Sequence, residues 1–399
     1  MQDELTETGM NVPQFLPYHR KLADLLSRQE DGIWAWFASD KLTTQAFDQQ
    51  RLYLLKSAIR LDEKNHAPLY SAAHEVAERL GIEARVVLHQ GMGGPRNAAL
   101  VYLPDEVNIL FEGDILTLLD PQETRCLLAH EMAHYLHQIR EGQRHFLTDR
   151  MLRWICGEPG AHLAHVRSLW LSRLYQEIFA DRVALAVSGS RDAAISTLIK
   201  ATTGLPQFSV DAYVAQAQEA VALNRDGGSD GSSHPETFIR AIALDDWARD
   251  PVVADARLAP LIEGKWQLEQ LDLLAQAELS DLTLQLISAF LATDWGGSDT
   301  LEAHARSFDP RFERSDVPRI TGLKGIAELD DSLKAYFAQV IADFATADAD
   351  LEDAPLMAAL EFSARWSFAE AFDTVASTDL GLPKKKLADL RAARAGATA

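Results

Sequence analysis

The strongest constraint on this chain is the segment His130-Glu131-Met132-Ala133-His134, which lies in a continuous helical pattern from Thr124 to Ile139. Residues four apart lie on one face of a helix, so both imidazoles can reach a single zinc ion. Glu131 is one step further round the helix, where its carboxylate can hold a water molecule instead of binding the metal. The motif therefore predicts a catalytic zinc site on a helix.

The residues before this motif predict where its helix begins. Asp120 is suited to be the N-cap, Pro121 to be the first helical residue and Glu123 to complete a capping box. Apolar residues flank the two histidines: Leu127, Leu128, Tyr135, Leu136 and Ile139. They indicate a buried helix, which favours a metal site over two histidines exposed to solvent.

A catalytic zinc ion needs a third protein ligand and one open position. The metzincin extension of the motif is excluded, because it requires glycine and histidine where this chain has His137 and Arg140. A carboxylate from a second helix is the other common solution, and Glu177 lies in a helical pattern that continues to Val187. Asp181 follows on the same face, so it can accept a hydrogen bond from a ligand histidine.

Other histidines compete for the role of third ligand. Six of the twelve histidines lie between positions 130 and 165, and the rivals are His137, His145, His162 and His165. None of them combines a helix with a neighbouring carboxylate as Glu177 does. We therefore expect the rivals to pack between helices or to lie on the surface.

Three short patterns follow one another along the chain: His130 to His134, a Glu-x-x-Ala-Asp pattern from Glu177 to Asp181, and His234-Pro235 followed by Arg240. Together they resemble the gluzincin metallopeptidases of the HtpX-like and CAAX prenyl endopeptidase type. Asn97-Ala98-Ala99 is similar to the Asn-Ala edge strand that precedes the zinc helix in that family. The resemblance covers about residues 68 to 247. In this region the chain lacks the spanning helix that membrane-bound members carry between the second and third motifs.

The resemblance implies a zincin-like core that binds Zn²⁺. His130, His134 and Glu177 would bind the zinc ion, and Glu131 would be the general base. The resemblance also implies that His234 or Arg240 stabilises the oxyanion, with a second interpretation in which His234 occupies the open metal position in a resting state. Ser233 and Glu236 form a capping-box pattern, which predicts that His234 lies at the start of a helix.

The expected activity is hydrolysis of peptide bonds in protein substrates, with protein quality control as the expected setting. A substrate would pair as an extended strand along the sheet edge from Asn97 to Tyr102. An endopeptidase is favoured over an aminopeptidase, because Gly91 to Pro95 contains no glutamate to hold a free amino terminus. The alternative is a latent or non-peptidase zinc protein, chaperone-like or an adaptor. The intact Glu131 argues against this alternative, since a structural zinc site needs no base.

The remaining pattern predicts an α+β protein that is mainly α. We expect an N-terminal helical extension over 1–60, the metallopeptidase domain over 61–251, and an all-α accessory region over 252–399 that binds a protein partner. The β-branched run 84–89 and two further runs, 98–103 and 107–111, predict strands. Because their connections are too short for crossover helices, we expect a small antiparallel sheet.

The composition excludes several other classes of protein. Lys plus Arg number 38 and Asp plus Glu number 59, so the net charge of −21 repels a nucleic-acid backbone. No uncharged stretch reaches the length of a membrane helix. The amino terminus is acidic where a secretory signal would be basic, and two cysteines form no disulfide framework. We therefore expect a cytoplasmic protein.

Overall fold

The computed structural model describes residues 12–39, 44–224, 227–318 and 321–397. The chain divides into two compact units, Met1–Gly264 and Lys265–Ala399. None of the described helices is both long enough and apolar enough to span a membrane. The acidic amino-terminal residues, on which the expectation of no secretory signal rests, lie outside the described residues.

Helices dominate the first unit, and its strands come early. In chain order the elements are α1 (Pro17–Gln29), α2 (Asp31–Ser39), α3 (Thr44–Ser57), β1 (Ala58–Arg60), α4 (Ala67–Arg79), β2 (Arg85–Gly91), β3 (Asn97–Leu103), β4 (Glu106–Glu112), α5 (Ile115–Leu118), α6 (Pro121–Ile139), α7 (Arg144–Gly157), α8 (Leu163–Ser188), α9 (Arg191–Thr203), α10 (Val210–Leu223), α11 (Thr237–Arg249) and α12 (Pro251–Glu263). The three predicted strands are present as β2, β3 and β4. The predicted fold class, α+β and mainly α, is confirmed.

The described strands form one mixed sheet in the order β1-β2-β4-β3. The outer pairs, β1 with β2 and β3 with β4, are antiparallel, whereas the central pair β2 and β4 is parallel. The expectation of an antiparallel sheet is therefore wrong for the central pair. No crossover helix is needed, because β3 itself carries the chain back along the sheet before β4 returns beside β2.

Helix α6, which carries both motif histidines, begins in a capping box. The Asp120 carboxylate accepts hydrogen bonds from the backbone N–H groups of Gln122 and Glu123, and Glu123 accepts one from the Asp120 N–H at 2.8 Å. The predicted start of the helix is confirmed. Glu123 also accepts hydrogen bonds from Ser196 at 2.6 Å and from Lys200 at 2.8 Å, which fasten the start of α6 to α9.

The amino-terminal helices belong to the first unit. α1 packs against α7 and α8, α2 packs against α7, and β1 pairs with β2. The predicted extension over 1–60 therefore contributes a strand to the sheet that the pattern did not predict. Residues 1–11 and 40–43 of that extension lie outside the described residues.

The second unit contains helices and no strand among its described residues. Its helices are α13 (Leu273–Phe290), α14 (Asp299–Phe308), α15 (Asp331–Thr346), α16 (Ala354–Arg365), α17 (Ala369–Thr378) and α18 (Lys384–Ala397). Its core is rich in phenylalanine: Phe290, Phe337, Phe344, Phe368 and Phe372. The predicted accessory region began earlier, at 252, whereas α12 packs against α8 and α11 of the first unit.

Candidate metal centre

The candidate metal centre lies where α6 packs against α8. His130, Glu131 and His134 come from α6, and Glu177 and Asp181 come from α8. The side chains of His130 and His134 are 13% and 17% exposed, and that of Glu177 is 9% exposed. The two helices therefore bring the predicted ligands together in a nearly buried site.

Three side chains bring their donor atoms together in this site. Nε2 of His130 and Nε2 of His134 are 3.3 Å apart. Oε2 of Glu177 is 3.4 Å from Nε2 of His130, and Oε1 is 3.6 Å from Nε2 of His134. Among the described residues this is the group of His, Cys, Asp or Glu side chains that could hold a metal ion. Oε2 of Glu177 is buried and has no hydrogen-bond partner among the described residues, as expected of an atom that a metal ion would bind.

A second layer of contacts orients His130. Its Nδ1 lies 3.1 Å from Oδ1 of Asp181, so Nδ1–H can donate to this carboxylate while Nε2 faces the other donors. Arg240 of α11 in turn donates to Asp181 from two nitrogens, at 2.6 and 2.7 Å. The expected contact between Asp181 and a motif histidine is thus present in the geometry, and Arg240 holds the carboxylate in place.

The charges of this group are strongly coupled. Burial lowers the pKa of His130, but its contacts with Asp181 and Glu177 outweigh burial and raise the pKa to about 10. Burial lowers the pKa of His134 to about 4. Burial would raise the pKa values of both carboxylates, yet His134 and His130 hold that of Glu177 low, and Arg240 holds that of Asp181 low. The two carboxylates therefore favour the protonated form of His130, whereas a metal ion would require its neutral form.

Glu131 differs from the other carboxylates of the site. Burial raises its pKa to about 7; His130 opposes this shift, and the Glu177 charge adds to it. The backbone of Leu100, on β3, also opposes the rise in the pKa of Glu131. A carboxylate with a pKa near neutrality is well matched to accept and return a proton. Glu131 therefore lies between the metal-binding group and the edge strand with suitable acid–base properties.

His234 lies beside the site but not at a helix start. Its Nε2 is 3.6 Å from Oε1 of Glu177, and its side chain is 56% exposed. α11 begins only at Thr237, and its N-cap Glu236 makes no side-chain capping bond. The predicted capping box with Ser233 is therefore wrong. The Glu236 carboxylate is engaged elsewhere, by Ser229 Oγ and the Asp230 N–H, both at 2.7 Å.

The segment that carries His234 is held by specific contacts. The Gly231 carbonyl accepts a hydrogen bond of 2.7 Å from Nε1 of Trp170. The Ser229 N–H donates to the Ile262 carbonyl at 3.0 Å. A Cβ atom on Gly231 would lie 1.8 Å from the carbonyl oxygen of His234, so only glycine fits at this close approach. These contacts fix the backbone position of His234 relative to Glu177.

The edge strand β3 borders the site on the side of Glu131. The predicted substrate strand, Asn97-Ala98-Ala99, is the first part of β3, at one edge of the described sheet. Two cavities, of about 530 and about 650 Å³, meet at the site. Both are lined by Asn97, Ala98, His130, Glu131 and His234. The site is therefore open on two sides along the strand.

The rival histidines are used in other ways. His137 and His145 are buried with His19 and the ring of Phe15, on the side of α6 that α1 and α7 cover. His162 caps α8, where Nδ1 accepts a hydrogen bond from the Ala164 N–H. His165 is partly buried beside His162.

Sequence reasoning missed three arginines that line the larger cavity. Arg150 and Arg153 come from α7, and Arg173 comes from α8. A signal existed for Arg173, because it precedes Glu177 by four residues and so shares its helix face. The α7 residues carried no such signal, since their position depends on how α7 packs against α8.

This arrangement of imidazoles and carboxylates on a helix pair is of a kind found in metallopeptidases, and a sequence comparison agrees. Plastoglobule-localized metallopeptidase 48, chloroplastic, of Arabidopsis thaliana is 25% identical to this chain over 209 residues. The match covers 48% of this chain and 60% of the relative, which is less than two thirds of its length. No family model and no solved structure matches the chain. The comparison supports a distant relationship to a metallopeptidase.

Proposed function

We propose that this protein is a zinc metalloendopeptidase of the gluzincin type, similar to the HtpX-like and CAAX prenyl endopeptidases, that hydrolyses peptide bonds in protein substrates. One observation carries the proposal. Nε2 of His130, Nε2 of His134 and the Glu177 carboxylate lie 3.3 to 3.6 Å apart, next to a Glu131 whose pKa is raised to about 7. This combines a metal-binding group with a base.

The spacing of the donors supports zinc. Zinc bonds to nitrogen and carboxylate oxygen are about 2.0–2.2 Å long, so tetrahedral ligands lie roughly 3.3–3.6 Å apart. The two nitrogens are 3.3 Å apart, and each lies 3.4 or 3.6 Å from one oxygen of the Glu177 carboxylate, which is within that range. Two imidazoles and one carboxylate are also the ligand set of catalytic zinc sites that keep one position open.

Each side chain of the site has a place in the proposed reaction. A bound zinc ion supplies Lewis-acid polarisation of the scissile carbonyl and of the attacking water. Glu131 accepts the proton of that water and later delivers it to the leaving amine. His234, on the exposed side of the site, is the donor best placed to stabilise the developing oxyanion. Its second interpretation, as an inhibitory ligand in a resting state, remains open to the same mutational test.

The contacts of Arg240 favour a role other than the expected stabilisation of the oxyanion. Two of its nitrogens donate to Asp181, and its side chain is only 12% exposed. Arg240 therefore acts through Asp181 and His130, as a positioning residue, in this proposal. The oxyanion is assigned to His234 alone.

The surroundings of the site suit a polypeptide substrate. An extended peptide would pair with the open edge of β3 and pass Glu131 in the middle of its length. The two cavities continue on both sides of that point, which suits internal bonds better than chain ends. Protein quality control in the cytoplasm, with a partner bound by 252–399, is the setting that we propose for this activity.

The test compares zinc content and cleavage of an unfolded protein in the wild type and in Glu131→Gln. We expect one zinc ion per chain in both proteins. Cleavage should fall by about 10²- to 10⁴-fold in the variant, because it loses the base but no ligand. Glu219→Gln, an exposed glutamate on α10, is the matched control and should cleave normally.

Two results would contradict the proposal. Wild-type protein that holds zinc but cleaves no unfolded protein would favour the chaperone-like or adaptor alternative. Glu131→Gln protein that cleaves at the wild-type rate would remove Glu131 from the reaction.

A further inference from the structure

The larger cavity beside the candidate metal centre has an unusual charge. We call it the arginine pocket, after Arg150, Arg153 and Arg173, and it also takes in the edge of β3 from Asn97 to Tyr102. Apart from the groups of the metal centre, Asp149 is the acidic residue in its lining. The lining therefore carries three guanidinium groups, in a chain whose net charge is −21.

Arg173 is the least compensated of these cations. It is half-buried on α8, and no hydrogen bond or ion pair to it is found within the described ranges. Arg153, in contrast, pairs with Asp149 at 2.6 Å, and Arg150 lies over the ring of Phe37 at 5.3 Å. Burial and the charge of Arg153 lower the pKa of Arg173, and the attraction of Asp149 offsets this only in part, so the cation is held at a cost. A carboxylate in the pocket would offset that cost.

The smaller cavity, on the other side of the metal centre, lacks this feature. Its two arginines are Arg96 and Arg240. Arg96 donates to Asp114 at 2.7 Å, and Arg240 is held by Asp181. The two cavities thus differ, because only the arginine pocket contains a guanidinium group without an ion pair among the described residues, that of Arg173.

We infer that the arginine pocket is a substrate subsite that takes an acidic side chain, aspartate or glutamate, of an extended peptide that lies along β3. This inference rests on the proposed function and names its substrate class. Because β3 and the arginines line the same cavity, a peptide paired with the strand can direct a side chain at Arg173. A guanidinium in this position can bind a carboxylate through two hydrogen bonds.

The test measures peptide binding without turnover. Full-length, zinc-loaded Glu131→Gln protein is titrated against short fluorescent peptides with an amidated carboxyl end. Each peptide carries one glutamate at a different position and is compared with its glutamine twin. At one position or more, glutamate should bind about tenfold more tightly, which is the usual effect of one charge-assisted hydrogen-bonded pair.

Substitutions at Arg173 locate the preference. Adding Arg173→Gln should abolish the difference between the twins, and Arg173→Lys should keep part of it. Arg257→Gln is the control, because Arg257 is exposed on α12 and pairs only with Asp246 among the described residues. Zinc content and helical circular dichroism check the fold of each variant. Should Arg173→Gln fail to fold, a preference that shrinks as salt screens the charges gives a second measurement on the unsubstituted pocket.

The outcomes separate this inference from the proposed function. Twins that bind equally, no binding of any peptide, or a preference that survives Arg173→Gln would overturn the subsite. Tighter binding of peptides with a free carboxyl end, whatever their sequence, would assign the pocket to chain ends instead. The wild type is then assayed with the same peptides. Glutamate-dependent binding without cleavage would overturn the peptidase function but support the subsite, and cleavage without an acidic preference would do the reverse.

Discussion

The three histidines of helix α6 have different neighbours. His130 and His134 face the carboxylates of α8. His137, on the next turn, packs instead with His19 of α1 and His145 of α7, at ring separations of 4.7 and 5.1 Å. Both ring nitrogens of His137 are buried without a hydrogen-bond partner among the described residues. The comparison shows that the neighbouring groups, and not the residue type, distinguish a candidate ligand from a packing residue.

The two groups also differ in charge. Contacts with Asp181 and Glu177 raise the pKa of His130, despite its burial. In the second group burial lowers the pKa of His19 to about 3 and lowers the pKa of His137 well below its usual value. One side of α6 therefore favours a cation, whereas the other side requires neutral imidazoles.

The largest expected effect comes from replacing histidine by leucine at one position on each side of α6, in two separate variants. His134→Leu should remove tight zinc binding, because it deletes a ligand of the candidate metal centre. His137→Leu should keep one zinc ion per chain, because leucine is of similar size and replaces a side chain that packs against Phe15. Zinc content after gel filtration measures both results.

Equal zinc loss in the two leucine variants would break the comparison. The same conclusion would follow if Glu177→Ala kept tight zinc binding, since a histidine would then have to be the third ligand.

The next effect concerns His234, an exposed histidine that lies beside Glu177 of the candidate metal centre. His234→Ala should lower turnover by about 10²- to 10³-fold and keep zinc, because one oxyanion donor is lost. Cleavage kinetics and zinc content measure the two quantities. Higher activity in His234→Ala would instead show an inhibitory ligand, and the protein would be a self-silenced peptidase.

A smaller effect is expected from the residues behind His130. Asp181→Ala should weaken zinc binding by about 10- to 100-fold without unfolding the protein, the usual cost of losing such a partner. Arg240→Ala should act in the same direction, because Arg240 holds Asp181. Zinc titration against a competing chelator measures the affinities, with Asp211→Ala on α10 as an exposed control. Unchanged affinity in both variants would leave these contacts without a role in metal binding.

The smallest effect is the response of the buried group to acid. Burial lowers the pKa of His19 from its usual value of 6.5 to about 3 in the folded protein. Its burial therefore leaves stability unchanged above pH 6.5 and removes about 1.4 kcal/mol per pH unit as the pH falls through this window. His19→Phe should flatten the acid limb of the stability curve by that amount. Chemical denaturation between pH 7 and pH 5 tests this slope, and identical slopes would exclude burial of a neutral His19.

Features set by local chemistry were predictable from the sequence. The start of α6 followed from Asp120, Pro121 and Glu123, because capping involves neighbouring residues. The approach of His130 and His134 followed from their spacing on one helix. The approach of Glu177 needed the family resemblance as well, since periodicity alone does not reveal which helices pack together.

Features set by distant contacts were not predictable. The parallel pairing of β2 with β4 depends on strand order, which short connections leave undecided. The capping pattern of Ser233 and Glu236 failed because Ser229 and Asp230 bind the glutamate instead. In the same way, the burial of His137 against His19 depends on α1, which lies far away in the sequence.

The close approach of Gly231 to His234 has a consequence for inherited variation. A change in the glycine codon that adds any side chain would push a Cβ against the His234 carbonyl, in a segment that Trp170 of α8 holds beside the candidate metal centre. Such a change leaves the side chains of His130, His134 and Glu177 in place, so we expect the altered protein still to bind metal. For the proposed peptidase, an assay of turnover would then detect the altered allele more directly than a measurement of metal content.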